Sequence, residues 1–208
     1  METKILKDDY LKAAELLKLG KLVAVPTETV YGLAANGLDH DAVSEIYEVK
    51  GRPETKPINL LISSMEDVEQ FCMDIPEEAY KLAEAFWPGP LTMILKKKSN
   101  VPEIVTAGGK TVGVRCPAHE MTLSLIRETH LPLATPSANI SGKPSPKNVQ
   151  QVLEYFDGKI PCVIDGGQCS VGVESTIIDM TSKPFKVLRL GGLSIERIRE
   201  KTGIEVIL

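Results

Sequence analysis

The chain has 208 residues, 43% of them hydrophobic and 25% charged, with a formal net charge of −4. That length supports one sizeable core, the composition excludes a disordered chain, and the acidic balance excludes wholesale binding to a phosphate backbone, which needs a basic excess. No apolar run approaches the roughly 18 residues of a membrane span, and the opening METKILKDDYLK places charges where a secretion signal needs an apolar core, so a cytoplasmic location is expected.

In chain order, Leu6, Tyr10, Leu11, Ala13, Ala14 and Leu17 recur at mostly helical spacings and predict a helix over 6–19, stopped by Gly20. LVAV at 22–25 reads as a buried strand, followed by PTETVYGLAANG at 26–37, a polar loop punctuated by glycines. A helix over 39–50 puts Val43, Ile46, Tyr47 and Lys50 on one face and closes at Gly51. KPINLLIS at 56–63 reads as a strand, and Ser63 with Glu66 predicts a capping box for a short helix through Phe71. Pro76 suits the first turn of a helix ending near Trp87, after which WPGP breaks the chain and LTMILKKK at 91–98 resumes as a strand. TVGVR at 111–115 is a strand, 118–129 a helix, PLAT at 132–135 a strand and 148–156 a helix. CVID at 162–165, STIIDM at 175–180 and KVLRL at 186–190 are strands, and SIERIREKTG at 194–203 is a final helix with Ser194 as its N-cap. Helices and strands interleave without a repeat or a linker, and the late strands follow one another directly. The expectation is one α/β domain with a mixed sheet.

The familiar enzyme templates fail. Gly108 to Thr111, GGKT, ends like a phosphate-binding loop, but Ile104 stands where the first glycine is required and a strand follows. There is no GxGxxG, HExxH or GxSxG. His40, His119 and His130 lie beside no nucleophile pattern and read as structural or surface groups. Cys72, Cys116, Cys162 and Cys169 have neither CxxC spacing nor a paired histidine motif, so no zinc site or disulfide framework is expected. More informative are Lys50, Arg52, Lys56, Arg115, Lys143 and Arg189, all at element ends beside Gly or Pro. Cations near bare backbone suit anionic ligands, although each taken singly is more often a solvated surface charge. The same loops carry Thr27, Thr29, Thr135 to Asn139, Ser141, Ser145 and Ser175, which make local turns and caps or read a small polar substrate. Five such loops at strand ends favour a ligand crevice.

Seven stretches together resemble the YrdC-type threonylcarbamoyl-AMP synthases. They are PTETVYGLAANG, KGRP at 50–53, WPGPLT at 87–92, VGVRCPAH at 112–119, TPSANISGKPSP at 135–146, VESTIID at 173–179 and LRLGG at 188–192, and the resemblance runs over about 11–198. It implies a YrdC-like twisted mixed sheet with flanking helices around a central cavity. It implies a nucleotidyltransferase that turns L-threonine, bicarbonate and ATP into threonylcarbamoyl-adenylate and pyrophosphate, for N6-threonylcarbamoyladenosine in tRNA. By the same resemblance Lys50, Arg52, Ser137 and Asn139 form the catalytic KxR…SxN signature. Thr29, Arg115, Thr135 and Ser175 surround threonine, and Arg52, Lys56, Thr111, Ser137, Ser145 and Arg189 surround ATP. Some members have Asn in place of Lys56 and His in place of Leu61. The expected metal is Mg2+ arriving with ATP, with no tightly bound ion held by protein ligands. The implied partners are the downstream tRNA threonylcarbamoyl transferase machinery and, weakly, double-stranded RNA or tRNA. Some members carry a further C-terminal domain; this chain is expected to be a single YrdC-like domain over 1–208. Two rivals are an RNA-binding module of the same fold and an enzyme making carbamoyl-adenylate. The acidic charge counts against the first, and the missing cysteine pairs against the second.

Overall fold

The computed structural model describes residues 2–7 and 9–208. Its elements in chain order are β1 (Lys4–Leu6), α1 (Tyr10–Lys18), β2 (Val23–Val25), β3 (Gly32–Asn36), α2 (His40–Lys50), β4 (Leu60–Leu61), α3 (Met65–Phe71), β5 (Cys72–Met73), α4 (Glu77–Phe86) and β6 (Leu91–Lys97). They continue with α5 (Glu103–Thr106), β7 (Thr111–Arg115), α6 (Glu120–Thr129), β8 (Leu133–Ala134), α7 (Val149–Phe156), β9 (Cys162–Ile164), β10 (Thr176–Asp179), β11 (Phe185–Arg189), α8 (Ile195–Thr202) and β12 (Val206–Ile207). The strands form a mixed sheet in the order β1-β9-β2-β3-β8-β4-β7-β6-β10-β11-β12, with β5 beside β6. β1, β9 and β2 run parallel, whereas the β2–β3, β3–β8, β8–β4, β6–β7 and β10–β11 pairs are antiparallel. No helix among the described residues is long and apolar enough to cross a membrane.

Apolar side chains cover both faces at the centre of this sheet. Leu22 and Ala24 join the larger core with Leu33, Ala35, Ile46 and Leu60, while the alternate residues Val23, Val25 and Ala34 join a second core under α1 and α6 with Leu17, Leu125 and Ile164. The period of two sends successive side chains to opposite layers, and fully burying each large aliphatic contributes about 1.5–3 kcal/mol. Polar side chains terminate the helices: Asp39 accepts from the Asp41 and Ala42 N–H groups, Asn148 from Gln151 and Ser194 from Arg197.

Several expectations shift. The opening helix begins at Tyr10 behind an Asp9 cap, and the residues ahead of it form β1, which pairs with β9 far along the chain. The expected capping box moves by one residue: Ser64 caps α3, and Asp67 Oδ2 reaches back to the Ser63 N–H at 2.8 Å. The strand expected over 56–63 contracts to β4, and α5, β5 and β12 are additional. The largest change lies in the 26–37 stretch, whose second half is β3.

That strand brings two loops together. The Leu33 N–H donates to Pro136 O and the Ala138 N–H to Tyr31 O, both at 2.8 Å, so the 135–139 segment lies alongside the start of β3. A Cβ at position 32 would stand 2.3 Å from Thr135 Cγ2, so only glycine permits this approach.

Candidate active site

Where these loops meet, a cavity with about 650 Å³ of unfilled space opens at the strand ends. One wall comes from the β2–β3 connection, with Thr27, Thr29, Val30, Tyr31 and Gly32. The chain after α2 supplies Arg52, Ile58, Asn59 and Leu61, β7 supplies Arg115, and Thr135 to Ser137 face them. Glu174, Ser175 and Arg189 complete the lining.

Several of these polar groups are held from behind. The Thr27 hydroxyl donates to Val30 O at 2.6 Å and accepts the Thr29 and Val30 N–H groups at 3.2 Å, which closes a tight side-chain turn. The Thr29 hydroxyl lies 2.9 Å from that of Thr27, which holds it at the cavity wall. Burial pushes the Tyr31 phenol up to about 12, so it remains a neutral donor to Gly167 O at 2.9 Å. Thr135 Oγ1 donates to Leu133 O at 2.9 Å.

The three arginines are anchored differently. Arg52 donates from Nη2 to Pro57 O at 2.9 Å and from Nε to Lys56 O at 3.3 Å. Arg189 donates to Ser175 O at 3.0 Å and to Ser175 Oγ at 3.1 Å, and Ser175 Oγ lies 2.7 Å from Thr92 Oγ1. Burial lowers the pKa of both groups, yet a guanidinium stays charged. Arg115 donates from Nε to Gly89 O at 3.2 Å, and its Nη2 stands 2.7 Å from Glu28 Oε2, an ion pair whose N–H direction falls short of hydrogen-bond alignment. Three cations thus face one lining carboxylate, Glu174, which accepts from Ser145 Oγ at 2.6 Å and is held below its ordinary pKa first by that bond. Such a cavity favours a ligand with several negative charges.

The Sua5_yciO_yrdC family model, described as "Telomere recombination", matches residues 15–191. The chain belongs to the Sua5/YciO/YrdC family. The threonylcarbamoyl-AMP synthase of Pyrococcus abyssi is 54% identical over 191 residues, and that of Bacillus subtilis 46% over 193; each alignment covers 92% of this chain and 56% of the relative. The structure of P. abyssi Sua5 complexed with L-threonine superimposes with a TM-score of 0.96 at 50% identity, covering 99% of this chain and 63% of that one. The chain therefore spans little more than half the length of these relatives.

Within this family fold, the residues that the sequence singled out divide into two groups. Thr29, Arg52, Arg115, Thr135, Ser137, Ser175 and Arg189 line one cavity. Lys50, Asn139 and Ser145 stand behind its wall. Lys50 is 1% exposed and donates from Nζ to the carbonyls of Ser137 and Asn139, while Asn139 Nδ2 donates to Ile140 O and Lys143 O at 2.9 and 2.8 Å. Burial first, then the nearby Arg52 charge, push the Lys50 ammonium down to about 7, and its two carbonyl acceptors oppose that shift. The Lys56 side chain is exposed and outside the lining, and only its carbonyl serves the site. Thr111 is at the far end of β7 from Arg115, about 13 Å away at the usual strand rise, in a separate depression beside Lys96, Lys97, Lys98 and Lys110.

Glu28, Tyr31 and Glu174 were not assigned from sequence. Glu28 had one visible signal: it is the lone acid between LVAV and the next apolar residues, in a run that is buried from Leu22 to Ala35.

Proposed function

We propose that this family member is a threonylcarbamoyl-AMP synthase, joining L-threonine, bicarbonate and ATP into threonylcarbamoyl-adenylate with release of pyrophosphate. Its product would serve N6-threonylcarbamoyladenosine formation at tRNA position 37, in the cytoplasm, through a separate transferase. The carrying observation is the convergence of Arg52, Arg115 and Arg189 with hydroxyls from three loops on one cavity. The names of the relatives and the threonine-bound P. abyssi structure support the same reading.

The chemistry asks mainly for orientation and charge neutralisation. The threonine amine attacks bicarbonate carbon, water leaves, and a carbamate forms; a carbamate oxygen then attacks the α-phosphorus, and the bond to pyrophosphate breaks. Arg115 Nη1, which has no partner among the described residues, meets the threonine carboxylate. Thr29, Thr135 and Ser175 surround the amino acid, while Arg52, Ser137 and Arg189 hold the phosphates, their forks offsetting the charge that grows on pyrophosphate. No three His, Cys, Asp or Glu side chains cluster as metal ligands among the described residues, and Glu174 is the one lining carboxylate. That donor set fits a magnesium ion held chiefly by the nucleotide, where it supplies further neutralisation of the phosphates.

Incubation with ATP, threonine and carbon-13 bicarbonate is expected to give an adenylate that carries the heavy carbon, detected by mass spectrometry. An unlabelled adenylate, or none, would contradict the reading.

A further inference from the structure

We infer that Glu28 is a positioning residue that fixes the Arg115 guanidinium for the substrate carboxylate; the substrate half of this inference rests on the proposed function. Two of the three guanidinium nitrogens are held behind the cavity, Nε by Gly89 O at 3.2 Å and Nη2 by Glu28 Oε2 at 2.7 Å. Nη2 is buried against that carboxylate without an aligned acceptor, and Nη1 has no partner among the described residues, which leaves Nη1 for a ligand. The two side chains are 9% and 7% exposed, so water does little to stabilise either charge alone. Glu28 is itself fixed from two sides. Its Oε2 accepts the Ala118 N–H at 3.1 Å, just before α6, and its carbonyl accepts the Val171 N–H at 2.7 Å. The carboxylate thereby ties the β2–β3 loop to the end of β7 and the start of α6, and the backbone carbonyl ties it to the segment leading to Ser175. Without its charge the guanidinium has a single anchor, Gly89 O, and rotates about its long side chain. Glu28 does not line the cavity, so its effect on substrate passes through Arg115.

A purely structural Glu28 would serve only as the acceptor for Ala118, a bond that glutamine can also make. Glu28→Gln therefore separates the two roles, and Glu28→Asp, which keeps the charge but withdraws it by one methylene, is read in the same way if the glutamine variant folds poorly. The first readout is the nitrogen-15 NMR signal of Arg115 Nε–H, assigned by its loss in Arg115→Lys. Its hydrogen exchange is expected to be about tenfold or more faster in Glu28→Gln than in the wild type. The second is kinetic: the KM for threonine rises about tenfold or more while the KM for ATP stays within about twofold. Unchanged protection of Nε–H overturns the inference, as does an equal rise in both KM values. Because the NMR readout needs no substrate, absence of threonine-dependent turnover in the wild type would contradict the synthase reading, while the role of Glu28 would still be decided by Nε–H exchange.

Discussion

Arg115→Ala is expected to lower the unfolding free energy by about 3–5 kcal/mol and to raise the threonine KM about a hundredfold or more. The first effect arises because Glu28 remains buried, with one N–H partner and no cation. The second arises because Arg115, the lining guanidinium assigned to the threonine carboxylate, would be gone. Urea unfolding and steady-state kinetics measure the two separately. Combining Arg115→Ala with Glu28→Gln should recover part of the stability but none of the threonine affinity, since the double variant removes the unpaired charge without restoring a donor. Arg115→Ala with wild-type stability would show that the pair is solvated in the folded protein.

Lys50→Met is expected to cost about 2–4 kcal/mol, because the carbonyls of Ser137 and Asn139 lose their shared donor while the relief of burying a cation offsets part of the loss. Turnover should fall as well, through Ser137: the cavity wall between Thr135 and Ser137 is held on one side by β3 and on the other by this ammonium. The pH dependence carries a definite sign. The folded-state pKa is lowered from 10.5 to about 7, so between those values the unfolded chain binds more protons than the folded one. The stability of wild type relative to Lys50→Met should therefore be flat below pH ~7 and rise with pH above it. A difference that stays flat from pH ~7 to ~10.5 would mean that the carbonyl acceptors offset burial and hold the ammonium charged.

The sequence disclosed the parts whose signals are local. α2 and α8 carry their caps and periodicity within a dozen residues, and both are observed where expected. β3 was hidden because Gly32, Ala34, Ala35 and Asn36 have poor strand preference; it forms because β2 and β8 pair with its two edges while the two cores bury its faces. β1 was hidden for a related reason, since its partner β9 lies far along the chain. For the site, the residues were recognisable but their directions were not. Lys50 and Arg52 are two positions apart, yet Gly51 between them adopts φ 56°, turning Lys50 into the core and Arg52 to the cavity. Thr111 and Arg115 share a strand but end at opposite edges of it. Glu28 has no motif of its own, and its meaning appears only when β7 brings Arg115 beside it.

The most direct measurement is pyrophosphate release from ATP with threonine and bicarbonate together, then with each omitted. The synthase reading predicts release that requires both co-substrates and collapses in Arg115→Ala. Release at an undiminished rate without threonine would contradict it.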